Sequence, residues 1–197
     1  MAPREAPRAL LFGLILPDAE QEQALAELAT LAQAAGAEVV AAVAQRRPAP
    51  DAATYLGSGK VEEIAALVEE RGATLAICDQ DLSPAQGRNL EKALGVRILD
   101  RTELILDLFA TRARTAQAKA QVELARLEYA LPRLRRLWGH LDRERGGIGL
   151  RGTGEKQIES DRRLIRRRIQ ELKRVLAGLE ARSEEHKSEL QSPNTIS

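Results

Sequence analysis

The residues best suited to chemistry in this chain lie between Gly146 and Gly154, a stretch reading Gly-Gly-Ile-Gly-Leu-Arg-Gly-Thr-Gly. Glycine at this density removes side-chain bulk and permits positive φ, so backbone N–H groups can converge on an anion. Guanidinium groups crowd the same region. Arg143, Arg145, Arg151, Lys156, Arg162 and Arg163 stand closest, with Arg133, Arg135, Arg136, Arg166, Arg167 and Arg168 beyond them. The planar arginine fork pairs with phosphate and stacks on bases. Phosphates, splayed bases and shape are what RNA recognition uses. The candidate RNA-contacting set is therefore Arg143, Arg145, Gly146, Gly147, Gly149, Arg151, Gly152, Thr153, Gly154, Lys156, Arg162 and Arg163. The competing reading makes Arg162, Arg163 and Arg166 to Arg168 the solvated outer face of a coiled coil. Asp161 and Glu171 offset only a few of those charges.

Other constellations resemble chemistry without meeting its requirements. Leu56-Gly-Ser-Gly-Lys60 looks like a phosphate-binding loop, but Thr54 and Val61 stand where that loop needs glycine and Ser or Thr. A turn entering a helix explains it, the alternative being nucleotide or RNA contact through Gly57, Gly59 and Lys60 at a helix N-terminus. Gly147-Ile-Gly-Leu-Arg-Gly152 matches a dinucleotide fingerprint in letters only, since it follows a basic helix rather than a strand. Asp79 and Asp81 follow a strand, where capping a loop is the plainer role than catalysis. His140 and His186 stand too far apart to suggest a metal site, and Cys78 reads as an ordinary buried strand residue. No catalytic or metal-ligating residue is assigned.

These residues need elements to position them. Ala9 to Leu16, Glu38 to Ala44, Thr74 to Cys78 and Val96 to Leu99 are short apolar runs of strand length, separated by amphipathic segments. Asp18 caps the first helix, Gly36, Gly72 and Gly95 end helices, and Ser83-Pro84 starts one. Alternation of this kind predicts α/β architecture, a small parallel βαβ sheet covered on both faces, over 1–101. From Thr102 no strand pattern remains. Ala120, Leu124, Leu127, Leu131, Leu134 and Trp138 step by four and three, and Leu106, Phe109, Ala113 and Ala116 extend the seam backwards. A second seam runs through Ile158, Ile165, Ile169, Leu172, Leu176 and Leu179. Two such arms predict a long antiparallel helical hairpin over 102–181, its tip loop at 146–154. The first arm would reach roughly 50 Å at about 1.5 Å per residue. Pro132 kinks that arm near Glu128 and Tyr129 or breaks it there.

Charge follows the same division. Residues 1–110 carry 10 Lys and Arg against 17 Asp and Glu, whereas 111–182 carry 19 against 9, although the whole chain is at +1. The second module is thus built to face an anionic partner. No apolar run approaches the roughly 20 residues of a membrane span, and no signal-peptide pattern is present. A single cysteine suits a reducing compartment, so a cytoplasmic protein is expected.

The tip stretch Gly146 to Arg163, continuing Glu-Lys-Gln-Ile-Glu-Ser-Asp-Arg-Arg after Gly154, resembles the signature of HflX-type ribosome-associated GTPases. Leu104-Ile-Leu-Asp-Leu-Phe109, Ala116 to Ala125, Tyr129-Ala-Leu-Pro-Arg-Leu134 and Tyr55-Leu-Gly-Ser-Gly-Lys60 are similar to the same family, and the resemblance covers roughly Ala9 to Glu180. It implies an N-terminal region whose tip loop approaches the peptidyl-transferase centre of the large ribosomal subunit, in proteins that split stalled ribosomes, notably under heat stress. It also implies a GTP-binding domain beyond the second arm. The 197 residues contain no complete P-loop and no Asn-Lys-x-Asp motif, so GTP and Mg²⁺ are expected only with that further domain and not as cofactors of this chain. A monomer bound to the large subunit is the leading expectation. A coiled-coil protein-interaction module and a weak nucleotide-binding domain using Lys60 are the alternatives.

The ending departs from the seam. Arg182-Ser-Glu-Glu-His-Lys-Ser-Glu-Leu-Gln-Ser192 resembles the translation of a sequencing-library adapter, so 182–197 is expected to be a non-native or a disordered tail.

Overall fold

The computed structural model describes residues 6–15, 22–134 and 153–191. Two compact units divide between Thr111 and Arg112.

The first unit is an α/β layer structure. Its elements are β1 (Arg8–Ile15), α1 (Glu22–Ala34), β2 (Glu38–Arg46), α2 (Ser58–Arg71), β3 (Leu75–Cys78), α3 (Pro84–Leu94), β4 (Arg97–Leu99) and α4 (Arg101–Arg112). The strands form one four-stranded sheet in the order β2-β1-β3-β4, and each neighbouring pair is parallel. The strand of the longest apolar run, β1, is central, with Phe12 level with Val43 on one side and Cys78 on the other. Its alternate residues serve opposite faces. Leu10, Phe12 and Leu14 pack with Val61, Ile64 and Val68 of α2 and Leu90 and Leu94 of α3. Ala9 and Leu11 pack with Leu28 and Ala32 of α1 and Leu104 of α4. A strand buried on both faces has no polar side to alternate with, which is why the sequence shows a continuous run.

Local signals set the helix ends. Ser83 accepts from the Gln86 N–H and Gln86 Oε1 accepts from the Ser83 N–H, a reciprocal cap opening α3. Gly72 and Gly95 adopt left-handed φ of 58° and 73° where α2 and α3 stop. The buried Asp100 carboxylate accepts from the Glu103 and Leu82 N–H groups, fixing the β4–α4 corner. The Asp18 cap lies outside the described residues.

The second unit contains α5 (Ala116–Ala130), a 3₁₀ turn (Leu131–Arg133) and α6 (Thr153–Gln191). Ala120, Leu172 and Leu176 form its buried cluster, with Leu124 and Leu127 packed against it. One sequence expectation is corrected here and one open choice is decided. The first arm is not continuous from Leu106: α4 stops at Arg112, and Thr115 caps a new helix by accepting from the Ala118 N–H at 3.1 Å. Leu104 and Leu108 commit α4 to the first unit, so the division falls one helix later than residue 101. Pro132 produces a break rather than a kink, α5 ending at Ala130 and the turn taking over. At the other end α6 continues past Arg182 to Gln191, as Glu, Lys, Leu and Gln favour.

Gly13 tests the packing of β1. A Cβ there would stand 2.6 Å from the Asp79 Cγ, whereas one on Gly59 would meet nothing within 4 Å. Gly13→Ala is expected to lower stability by about 1–3 kcal/mol, as overpacking does, seen as a fall of several degrees in the thermal midpoint. Gly59→Ala should leave that midpoint unchanged or raise it.

Candidate functional site

In the second unit, the arginines divide into those already engaged and those left open. Arg168 grips Glu123 with two bonds, Nε to Oε1 at 2.7 Å and Nη2 to Oε2 at 3.0 Å, and reaches Glu171 at 3.0 Å. These donors hold the Glu123 carboxyl below its ordinary range. Lys173 pairs with Glu128 at 2.7 Å. The guanidinium of Arg133 lies 3.6 Å over the Tyr129 ring and donates to that residue's hydroxyl and backbone carbonyl. Arg133 is 9% exposed, held by stacking as much as by charge. Arg133 and Arg168 therefore serve the helix pair itself.

Arg163, Arg166, Arg167 and Arg174 are exposed. Arg163 has one long contact, 3.8 Å to Glu159. Arg166, Arg167 and Arg174 make no ion pair among the described residues. Arg162 is half-buried, and its Nε is shielded from solvent with no hydrogen-bond partner. Of the residues singled out in the sequence, Arg143, Arg145, Gly146, Gly147, Gly149, Arg151 and Gly152 lie outside the described residues. Thr153, Gly154 and Lys156 fall in the first turns of α6.

In the first unit, the Leu56–Lys60 stretch does not fit a triphosphate. Its Gly57 N–H donates to Gln45 Oε1 at 2.9 Å, and a Cβ on Gly57 would meet Arg47 Nη1 at 3.0 Å. The Lys60 ammonium is 2.6 Å from Glu63, one turn along α2. Gly57 caps α2 with its backbone, and the preceding loop is fixed elsewhere. Asp51 Oδ1 accepts from the Ala53 and Thr54 N–H groups, while Gln86 and Asn89 of α3 donate to the Asp51 and Ala53 carbonyls.

That loop ends in the one unusual backbone conformation among the described non-glycine residues, Tyr55 at φ 66°. The turn carries the Tyr55 ring into the core, where its hydroxyl donates to Asp79 Oδ1 at 3.2 Å. Asp79 is 1% exposed at the carboxyl end of β3, close against Gly13 of β1. Burial pushes its carboxyl up, against the Tyr55 hydroxyl, backbone N–H groups and the charge of Arg101, which pull it down. Burial likewise raises the Tyr55 hydroxyl and the Cys78 thiol. Reading Asp79 from the sequence as a loop cap misses both partners, Tyr55 and Gly13. Gly13 inside an apolar strand is the available signal, because glycine there marks a close approach. Among the described residues, no group of three or more His, Cys, Asp or Glu is placed to hold a metal, and no helix is long and apolar enough to cross a membrane.

Two family models match in tandem, the GTP-binding GTPase N-terminal region over residues 22–110 and the GTP-binding GTPase middle region over 112–189. The GTPase HflX of Alkalihalophilus pseudofirmus is 49% identical over 162 residues, covering 82% of this chain and 38% of that protein. The GTPase HflX of Escherichia coli K12 is 44% identical over 178 residues, covering 90% and 42%. A crystal structure of an SsGBP and GDP complex superposes with a TM-score of 0.65 at 25% identity, over 91% of this chain and 46% of that one. The chain belongs to the HflX family and corresponds to its N-terminal region. It spans about two fifths of the length of these curated relatives.

Asp79 gives a pH test. A carboxyl raised above its ordinary 3.8 in the fold favours folding while protonated, and that contribution is lost as pH rises through its folded value. Asp79→Asn should therefore gain on the parent protein between about pH 4 and pH 7 in urea unfolding. A stability difference that stays constant across this range would count against the buried acid.

Proposed function

We propose that this chain is the ribosome-facing module of an HflX-type GTPase, a two-helix lever that carries the 146–154 loop to rRNA of the large subunit. The observation that carries this reading is the way charges flank the α5–α6 seam. Glu123 and Arg168 each stand one position before a seam residue, Leu124 and Ile169. Glu128 and Lys173 each stand one position after one, Leu127 and Leu172. Pairing of like flanks is the pattern of helices running in opposite directions, because reversing one helix turns the same flank of each toward the other. An antiparallel pair puts the connecting residues 135–152 at one end, where the glycines and Arg143, Arg145 and Arg151 lie in sequence.

On this reading, Arg162 and Arg163 belong to the neck of the lever and meet phosphate as it enters. GTP hydrolysis, with its Mg²⁺, resides outside these 197 residues, which supports assigning this chain no enzymatic role. The misfit of Leu56–Lys60 to a triphosphate supports the same assignment. In the whole protein, the module would serve GTP-dependent splitting of stalled ribosomes in the cytoplasm.

The test is co-sedimentation with purified large subunits over a salt series. With about six phosphate contacts, affinity should fall on the order of a thousandfold between about 50 and 200 mM salt. Arg151→Glu with Arg163→Glu should abolish binding while helix content stays unchanged, and adding Arg162→Glu should not restore it. Binding that is insensitive to salt and to these substitutions would favour a coiled-coil protein partner instead.

A further inference from the structure

The two edges of the sheet in the first unit are finished differently. The outer strand β4 is three residues long and opens on Arg97, a short charged edge of the kind that discourages pairing with other chains. At the opposite edge β2 runs for nine residues, and from Val39 to Ala44 it carries neither charge nor proline. Its one neighbour in the sheet is β1. None of its residues is buried, whereas six of the eight in β1 are. The Glu38 N–H donates to the Pro7 carbonyl at 2.9 Å and the Arg47 N–H to the Ile15 carbonyl at 3.1 Å, so both point toward β1. Between them Val40 is an extra residue, where the register shifts opposite Ala9 and Leu10. Beyond it the pairing is regular. Counting back from Arg47 by alternation, the N–H and C=O groups of Ala42, Ala44 and Arg46 are turned away from β1. Among the described residues they have no partner strand.

We propose that this edge pairs with the β2 edge of a second copy of the chain, antiparallel about a two-fold axis at Ala42. Two four-stranded sheets then join into one. Charge selects both the partner and the register. Glu38 and Arg46 stand four residues to either side of Ala42, and both are exposed. Neither has an ion-pair partner among the described residues. In this register Glu38 of each copy stands opposite Arg46 of the other, and symmetry supplies the pair twice. A parallel partner in register would set like charges against each other. The extra residue at Val40 shortens the Glu38 arm by about 3.3 Å, an offset that the long arginine side chain spans. The hydrogen-bonding phase agrees with the charges. Ala42 directs its N–H and C=O outward, so the two Ala42 residues exchange both bonds across the axis. Moving the axis to Ala44 keeps that phase but leaves Glu38 facing residues beyond the end of β2. Sequence alone does not show this surface, since the run Val39 to Ala44 reads equally well as a central strand. Sheet order puts it at the edge. An edge-to-edge contact buries less than a standard interface, so the dimer is weak and reversible. The free chain is then not the monomer expected from its sequence.

This surface lies wholly in the first unit and uses none of the residues proposed to meet rRNA, so either reading stands if the other fails. The 197-residue chain is followed by sedimentation equilibrium from about 1 μM to about 1 mM, the range of weak association. Monomer should give way to dimer within that range, and the amides of Ala42, Ala44 and Arg46 should gain hydrogen-exchange protection as concentration rises. Glu38→Arg or Arg46→Glu alone sets like charges opposite each other at both pairs and should weaken the dimer roughly tenfold. Glu38→Arg combined with Arg46→Glu restores opposite charges and should return it to within about threefold of the parent. Ala42→Pro removes both N–H donors at the axis without removing a bond to β1, a substitution that edge strands tolerate, and should abolish dimerisation. Ala42→Lys, at the same exposed position, sets two ammonium groups across the axis and should do likewise. The thermal midpoint verifies that each variant folds, and Ala42→Lys decides the matter if the proline variant does not. A monomer at every concentration, a dimer that survives Ala42→Lys, or a double reversal as weak as the single ones would each overturn the proposal.

Discussion

The second unit depends on a narrow apolar seam. Ala120 and Leu124 on one helix and Leu172 and Leu176 on the other bury too little surface to fix a register by hydrophobicity alone, since apolar contact is non-directional. Charges beside the seam add contacts that do depend on direction and register. The two-pronged grip of Arg168 on Glu123 and the Lys173–Glu128 pair act on opposite flanks. Exposed pairs of this kind add only about 0–1 kcal/mol each, so their value lies in discrimination between arrangements. Charge used in this way is withdrawn from any ligand, which explains why a helix so rich in arginine is not uniformly available to one.

The first unit solves a different problem with different means. Its central strand is apolar on both faces, so helices must cover both, and the four parallel strands follow from that requirement. At the carboxyl edge the design becomes costly. Asp79 is buried against a glycine and bonded to a tyrosine held at positive φ, where a non-glycine residue carries strain. The loop that bears this strain is clamped to α3 by Gln86 and Asn89. The arrangement fixes the Leu56–Lys60 turn firmly while leaving Lys60 paired with Glu63.

Much of the fold is legible in local signals. Apolar runs mark all four strands to within two residues, and Gly72, Gly95 and the Ser83-Pro84 start mark helix ends correctly. What escapes are features depending on contacts distant in sequence. The heptad steps from Leu106 through Ala116 look continuous because helical periodicity does not register which body a helix packs against, and Leu104 and Leu108 are claimed by the sheet. The link between Asp79, Tyr55 and Gly13 spans 66 residues of sequence, and no local pattern encodes it. For the arginines, number and position are written in the chain, but whether each is paired depends on its neighbours in space.

The proposed lever requires α5 and α6 to run in opposite directions, and cysteine cross-linking tests this most directly. With Cys78 buried in the first unit, Ala120→Cys combined with Leu176→Cys should form an internal disulfide under mild oxidation. Ala120→Cys combined with Ile165→Cys, which a parallel pair would bring level, should not. The reverse outcome would place residues 135–152 across the length of the pair instead of at its end, and the lever would be lost.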